Sequence, residues 1–225
     1  MSVKYKAVGW NRQKRIYDAT LAVFVLACLA LFVVVTVLTN RNATAETSII
    51  RSTAWTAMLL LHVILCIGPL ARLDARFLPL LYNRRHLGVT MFFLALVHAG
   101  LATFQFHALG KMNPIVSVLT AYRADYDPFD GPSQSLAQFP FEPFGAIALV
   151  ILFLMAATSH DFWLRNLGAS FWKLMHMLVY VAYGALIVHV SFGTLQSERS
   201  PVYAGCVGFG ALVVVGLHVI AYRRE

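Results

Sequence analysis

The chain has 225 residues, of which 59% are hydrophobic and only 12% charged, and its mean hydropathy is +0.69. Soluble domains are nearer half apolar and a quarter charged, and one of this length could not hide so much apolar surface, so a water-soluble globular protein is excluded. The net charge of +8 does not point to nucleic acid. The basic residues fall in short clusters beside apolar runs, as membrane orientation signals do, and no basic, aromatic-rich soluble segment exists to read bases.

In chain order the pattern predicts an all-α, six-helix transmembrane bundle forming a single domain over residues 1–225. Six apolar stretches are long enough to cross a hydrocarbon layer of about 30 Å as helices. They lie near 18–39, 52–70, 86–106, 143–159, 171–192 and 201–222, the fourth being the shortest. The first is followed by Ala43-Thr44-Ala45, which resembles a secretory cleavage site. Its apolar part is longer than a signal core and further spans follow, so it reads as an uncleaved first helix. Asn42-Ala43-Thr44 matches a glycosylation acceptor, a pattern too short to carry weight. The long connection 107–142 contains Asp125, Asp127, Asp130, Glu142 and the turn phrase Asp127-Pro128-Phe129-Asp130-Gly131-Pro132. With both termini cytoplasmic, thirteen of the 18 Lys and Arg residues fall on that side and five on the other, so the positive-inside bias favours this orientation. No stretch remains for a Rossmann, P-loop or flavin-binding domain.

The three cysteines, Cys28, Cys66 and Cys206, all lie in apolar runs and form no CxxC, zinc spacing or CxxCH. They read as small apolar residues, and covalent c-type haem attachment is excluded. The chemistry rests with histidine. Of eight, five lie within apolar runs: His62, His98, His176, His189 and His218. An ionisable side chain in the membrane is costly and faces a partner inside the bundle, and imidazole is the usual axial ligand of an electron-transfer haem. Histidines on separate helices therefore suggest a bis-histidine haem site. His176 and His189 lie about 20 Å apart along one helix, one near each membrane surface, a spacing that suits two redox centres. Thirteen residues leave their rings about 140° apart around an ideal helix, so a kink or a second flank is required. For His62 and His218 the plainer alternative is hydrogen bonding between helices or lining a polar cavity. His86, His107 and His160 stand at membrane boundaries and read as interfacial. Arg84 and Arg85 can bind haem propionates or lipid phosphates, or simply anchor orientation. Almost no Asp or Glu lies within the spans, which counts against a proton pump.

These residues carry a resemblance. Arg84-Arg85-His86-Leu87-Gly88 through His98, Ala157-Thr158-Ser159 through Gly168, and Phe171-Trp172-Lys173-Leu174-Met175-His176 through Tyr180 and His189 resemble the ferric reductase-like transmembrane domain family. Within it they are most similar to the haem-binding membrane subunits of bacterial periplasmic methionine sulfoxide reductases. The resemblance spans helices three to five and implies His98, His176 and His189 as axial ligands of haem iron. Many members carry a second histidine fourteen residues before the equivalent of His98; here that position is Arg84. The resemblance then implies an outer haem between His98 and His189, and an inner one pairing His176 with His218 or, less well placed, His62 or His86.

The expected function is a cytochrome b-type electron-transfer subunit of a bacterial inner membrane, holding one or two b haems, with quinone or FMN as further cofactor candidates. Electrons would come from quinol or a cytoplasmic flavoprotein and pass to a periplasmic oxidoreductase or iron–sulfur protein docking on the 107–142 loop. The alternatives are a stand-alone ferric or metal reductase and a haem-free membrane scaffold or carrier.

Overall fold

The computed structural model describes residues 12–40, 43–109, 113–120, 139–197 and 201–224. The turn phrase 127–132, the acidic residues Asp125, Asp127 and Asp130, and Asn42 lie outside the described residues. The described chain is helical, running α1 (Arg12–Thr39), α2 (Ala45–Leu73), α3 (Leu78–Thr103), α4 (Pro114–Thr120), α5 (Glu142–Ala157), α6 (Asp161–Leu167), α7 (Ala169–Met177), α8 (Val179–Phe192), α9 (Thr194–Ser197) and α10 (Pro201–Arg223). A protein that spans lipid must bond its own backbone groups, and helices do so within each segment. Five stretches are long and apolar enough to cross a membrane: Lys14–Thr39, Ala45–Leu73, Ala75–Ala108, Ala169–Gln196 and Pro201–Arg223. The sixth candidate is the pair α5–α6, bent by 93°. This is a multi-pass membrane protein.

The chain folds around α2. Half of its apolar window is buried inside the protein, against 11–17% for the other four spans. Its inward residues are large aliphatics (Leu60, Leu61, Leu65, Ile67) mixed with small polar ones (Ser48, Ser52, Thr53, Thr56). Small residues let neighbouring backbones approach in lipid, where packing replaces the hydrophobic drive between helices. The Ser48 and Thr53 hydroxyls donate back to the carbonyls of Thr44 and Ile49, so burial leaves neither hydrogen orphaned. Thr44 caps the helix start by accepting from the Thr47 amide. Asp74 ends the element, its carboxylate accepting the Arg76 amide in a 3-10 turn that leads into α3. Helices α5 and α8 meet through Ala148 and Ala182, both fully buried. Large apolar side chains such as Val23, Leu26, Leu38, Leu212 and Tyr222 point outward, as expected of a lipid-facing surface.

Two local departures from straight helices matter for the site. The fifth predicted span is divided at Leu178, whose amide bonds to the Met175 carbonyl three residues back. This tightened turn lies between His176 and His189, where a kink or a second flank was called for. At the end of α3 the chain widens into a π turn over Phe104–Ala108.

Gly210 on α10 is a close approach. A methyl group there would lie 2.5 Å from the His62 ring on α2. Gly210→Ala is therefore expected to destabilise the folded protein by about 1–3 kcal/mol through overpacking, read as a lowered midpoint in detergent unfolding.

Candidate haem-binding site

The bundle has two polar ends. At the near end, where α1 begins and α10 finishes, lie Arg84, Arg85, His176 and His218. At the far end lie Arg51, His98, Glu142 and His189. The far end holds a cavity with about 1290 Å³ of empty space including its open mouth. His98, His189, His107, Arg51, Glu142 and Trp55 are among the residues that line it.

His98 on α3 and His189 on α8 face each other across this cavity, ring centroids 6.4 Å apart and planes inclined by 76°. Their Nδ1 atoms are both tied to backbone: His98 to the Ile50 carbonyl at 3.1 Å and His189 to the Phe141 carbonyl at 3.0 Å. A carbonyl can only accept, so Nδ1 carries the hydrogen and the neutral ring keeps its lone pair on Nε2. No described residue bonds to Nε2 of either ring. Gly145 on α5 makes room for this arrangement, since a methyl group there would stand 2.7 Å from Nδ1 of His189.

The same reasoning sorts the remaining membrane histidines. His62, His176 and His218 each donate Nδ1–H to a carbonyl one turn back, those of Met58, Trp172 and Val214. The Nε2 lone pair of His62 accepts from the Tyr183 hydroxyl at 3.1 Å, and that of His218 from the Tyr180 hydroxyl at 2.9 Å. Each ring thus bridges to α8 through a tyrosine hydroxyl. Nε2 of His176 is buried without a hydrogen bond. The Met155 carbonyl is near that ring, but lone pair and carbonyl are both acceptors and cannot bond. Among the described residues, three of the five histidines thus present a lone pair that no hydrogen bond uses: His98, His176 and His189.

That donor set suits haem. A metal ion held by protein alone needs about four ligands, and among the described residues no group of three or more His, Cys, Asp or Glu gathers to hold one. Two imidazoles suffice when a macrocycle supplies the equatorial nitrogens. Metal–imidazole bonds are about 2 Å long, which puts two axial ring centroids roughly 6 Å apart across an iron. The His98–His189 separation meets that requirement.

At the near end, the His176 ring stacks on Trp172, with centroids 3.8 Å apart. Arg84 and Arg85 are within electrostatic reach of it. Arg85 ion-pairs with Asp161 on α6, and its guanidinium lies 5.3 Å from the centre of the Trp172 ring. His86, read as interfacial, bonds to Asp18 of α1 at 2.7 Å, and His160 caps α6 by accepting the Phe162 amide.

His107 is among the cavity residues that sequence reasoning missed. His107, also read as interfacial, is only 7% exposed, lines the cavity, and bonds to Ser117 of α4 at 2.8 Å. Nine residues at about 100° each put it on the opposite side of an ideal helix from His98. The π turn that contains it advances less per residue and brings it round. A polar residue at the end of an apolar run was its only sequence signal.

The chain is 31% identical over 135 residues to the protein-methionine-sulfoxide reductase heme-binding subunit MsrQ of Brucella anthropi, covering 60% of this chain and 53% of that protein. It is 27% identical over 148 residues to the MsrQ of Polaromonas naphthalenivorans, covering 66% and 59% respectively. The matched region is thus little more than half the length of these relatives. The model of the family described as "Ferric reductase like transmembrane component" matches residues 53–187, a region that includes His62, His98 and His176 and stops two residues before His189. The chain belongs to the ferric reductase-like transmembrane family.

Proposed function

We propose that this protein is a cytochrome b-type electron-transfer subunit that holds haem at the far end between His98 and His189. The observation that carries this reading is the pair of facing imidazoles, each with Nδ1 tied to a carbonyl and Nε2 without a partner among the described residues. A bound b haem would supply a one-electron carrier whose potential follows its axial ligands and its burial. The chain's part is to hold both rings in the ligating tautomer, to seat them against Ile50 and Phe141, and to keep the site within apolar walls. Backbone bonds of this kind orient metal ligands and raise their basicity. The unused lone pair of His176 supports a second haem at the near end. His176 and His189 are thirteen residues apart, about 20 Å along the helix, so two such centres would divide the membrane into two short electron steps.

The charge bias of the whole sequence supports a cytoplasmic near end and a periplasmic far end, in a bacterial inner membrane. Quinol or a cytoplasmic flavoprotein would then be the donor. The relatives, named as haem-binding subunits of a methionine sulfoxide reductase, support a periplasmic oxidoreductase as acceptor.

A dithionite-reduced minus oxidised spectrum of protein purified from haem-supplemented cells tests this reading. Bands of b haem at one or two per chain are expected. A well-folded, colourless preparation would overturn it.

A further inference from the structure

The near-end histidine stands in a row of side chains from three elements. His176 is stacked on Trp172 and donates its Nδ1–H to the Trp172 carbonyl at 3.0 Å. The indole is itself fixed, its N–H donating to the Thr158 carbonyl at 2.9 Å. Over the indole lies Arg85 of α3, and against Arg85 lies Asp161 of α6. Asp161 is 76 positions from Arg85 in sequence. The 93° bend between α5 and α6 carries it across the bundle end to meet the guanidinium.

As a stabilising contact the ion pair is worth little. The two side chains are 35% and 56% exposed, and exposed pairs of this kind contribute at most about 1 kcal/mol. Its place in the row matters more. Oxidised haem carries one more positive charge than reduced haem, so a lone guanidinium nearby favours the reduced state, and a carboxylate against it offsets that effect. Arg85 in turn holds the Asp161 carboxyl below the usual carboxylate range, so the offsetting charge is present at neutral pH.

We infer that Asp161 is a positioning residue for the His176 centre: it holds the Arg85 guanidinium over Trp172, offsets its charge, and thereby lowers the reduction potential of iron bound by His176. The inference rests on the reading that His176 ligates haem.

Potentiometric titration of the purified holoprotein, followed in the haem absorbance, tests it. Asp161→Asn should raise the midpoint of one haem component. At fixed potential the reduced-to-oxidised ratio should increase about threefold to tenfold, tenfold corresponding to 59 mV for one electron. Asp161→Glu should stay near the parent value, and Asp161→Asn should have a smaller effect in an Arg85→Gln background, where only the carboxylate's own charge is lost and no guanidinium is released. An unchanged midpoint in Asp161→Asn with haem content intact overturns the inference. So does a shift of equal size in the Arg85→Gln background. Should Asp161→Asn fail to fold, Arg85→Gln alone must lower the reduction potential or leave it unchanged, and a rise overturns the inference. Haem content of His176→Ala separates the two levels: unchanged content removes the ligand reading beneath it, whereas lost haem with an unmoved Asp161→Asn midpoint removes only the role of Asp161.

Discussion

Replacing His98 or His189 with alanine should lower haem bound at the far end at least tenfold, measured as haem per polypeptide in the purified protein. Altering a residue that merely orients a metal ligand already costs about 10–100-fold in affinity, and these substitutions remove the ligand itself. The two variants should lose the same spectral component, because the rings face each other across one cavity. His62→Ala and His218→Ala provide the contrast. Their Nε2 atoms accept from Tyr183 and Tyr180, so each should lose about 0.5–1.5 kcal/mol of stability with the hydrogen bond while haem content holds. Full haem retention in both His98→Ala and His189→Ala would sink the ligand assignment.

The second large effect is expected from a residue with no side chain. Gly145→Ala places a methyl group 2.7 Å from Nδ1 and 2.8 Å from Cε1 of His189, separations that real side chains do not tolerate. The ring must turn, its bond to the Phe141 carbonyl must stretch, and the tautomer and aim of Nε2 are lost together. Haem affinity at the far end should fall about 10–100-fold. Gly184→Ala on α8 is the control, because nothing lies within 4 Å of its added carbon. There, the gain in backbone rigidity should leave stability equal or slightly higher. If Gly145→Ala binds haem as tightly as Gly184→Ala, the close packing of α5 on His189 has no part in holding the cofactor.

Much of this was legible in the residues. Runs of about twenty apolar side chains can only be helices in lipid, and five of the six expected spans are found as single long helices, while the 143–159 stretch is the bent pair α5–α6. The 100° helical step called for a kink or a second flank between His176 and His189, and the chain has a tightened turn at Leu178. Residue type and depth together singled out five histidines.

Which of those five keep a free lone pair was not legible, because a tautomer is chosen by whatever carbonyl or hydroxyl the fold brings to each ring. For His98 and His189 that carbonyl belongs to a residue 48 positions away. His107 turned into the cavity only because a π turn replaced an α turn, a change no local pattern announced. The pairing of Arg85 with Asp161 likewise needed the α5–α6 bend to bring distant segments together. Apolar run length and residue chemistry, which act locally along the chain, were determined by the sequence itself. The facing of rings, the choice of protonated nitrogen and the meeting of charges are contacts between segments far apart in the chain, and only the tertiary structure decided them.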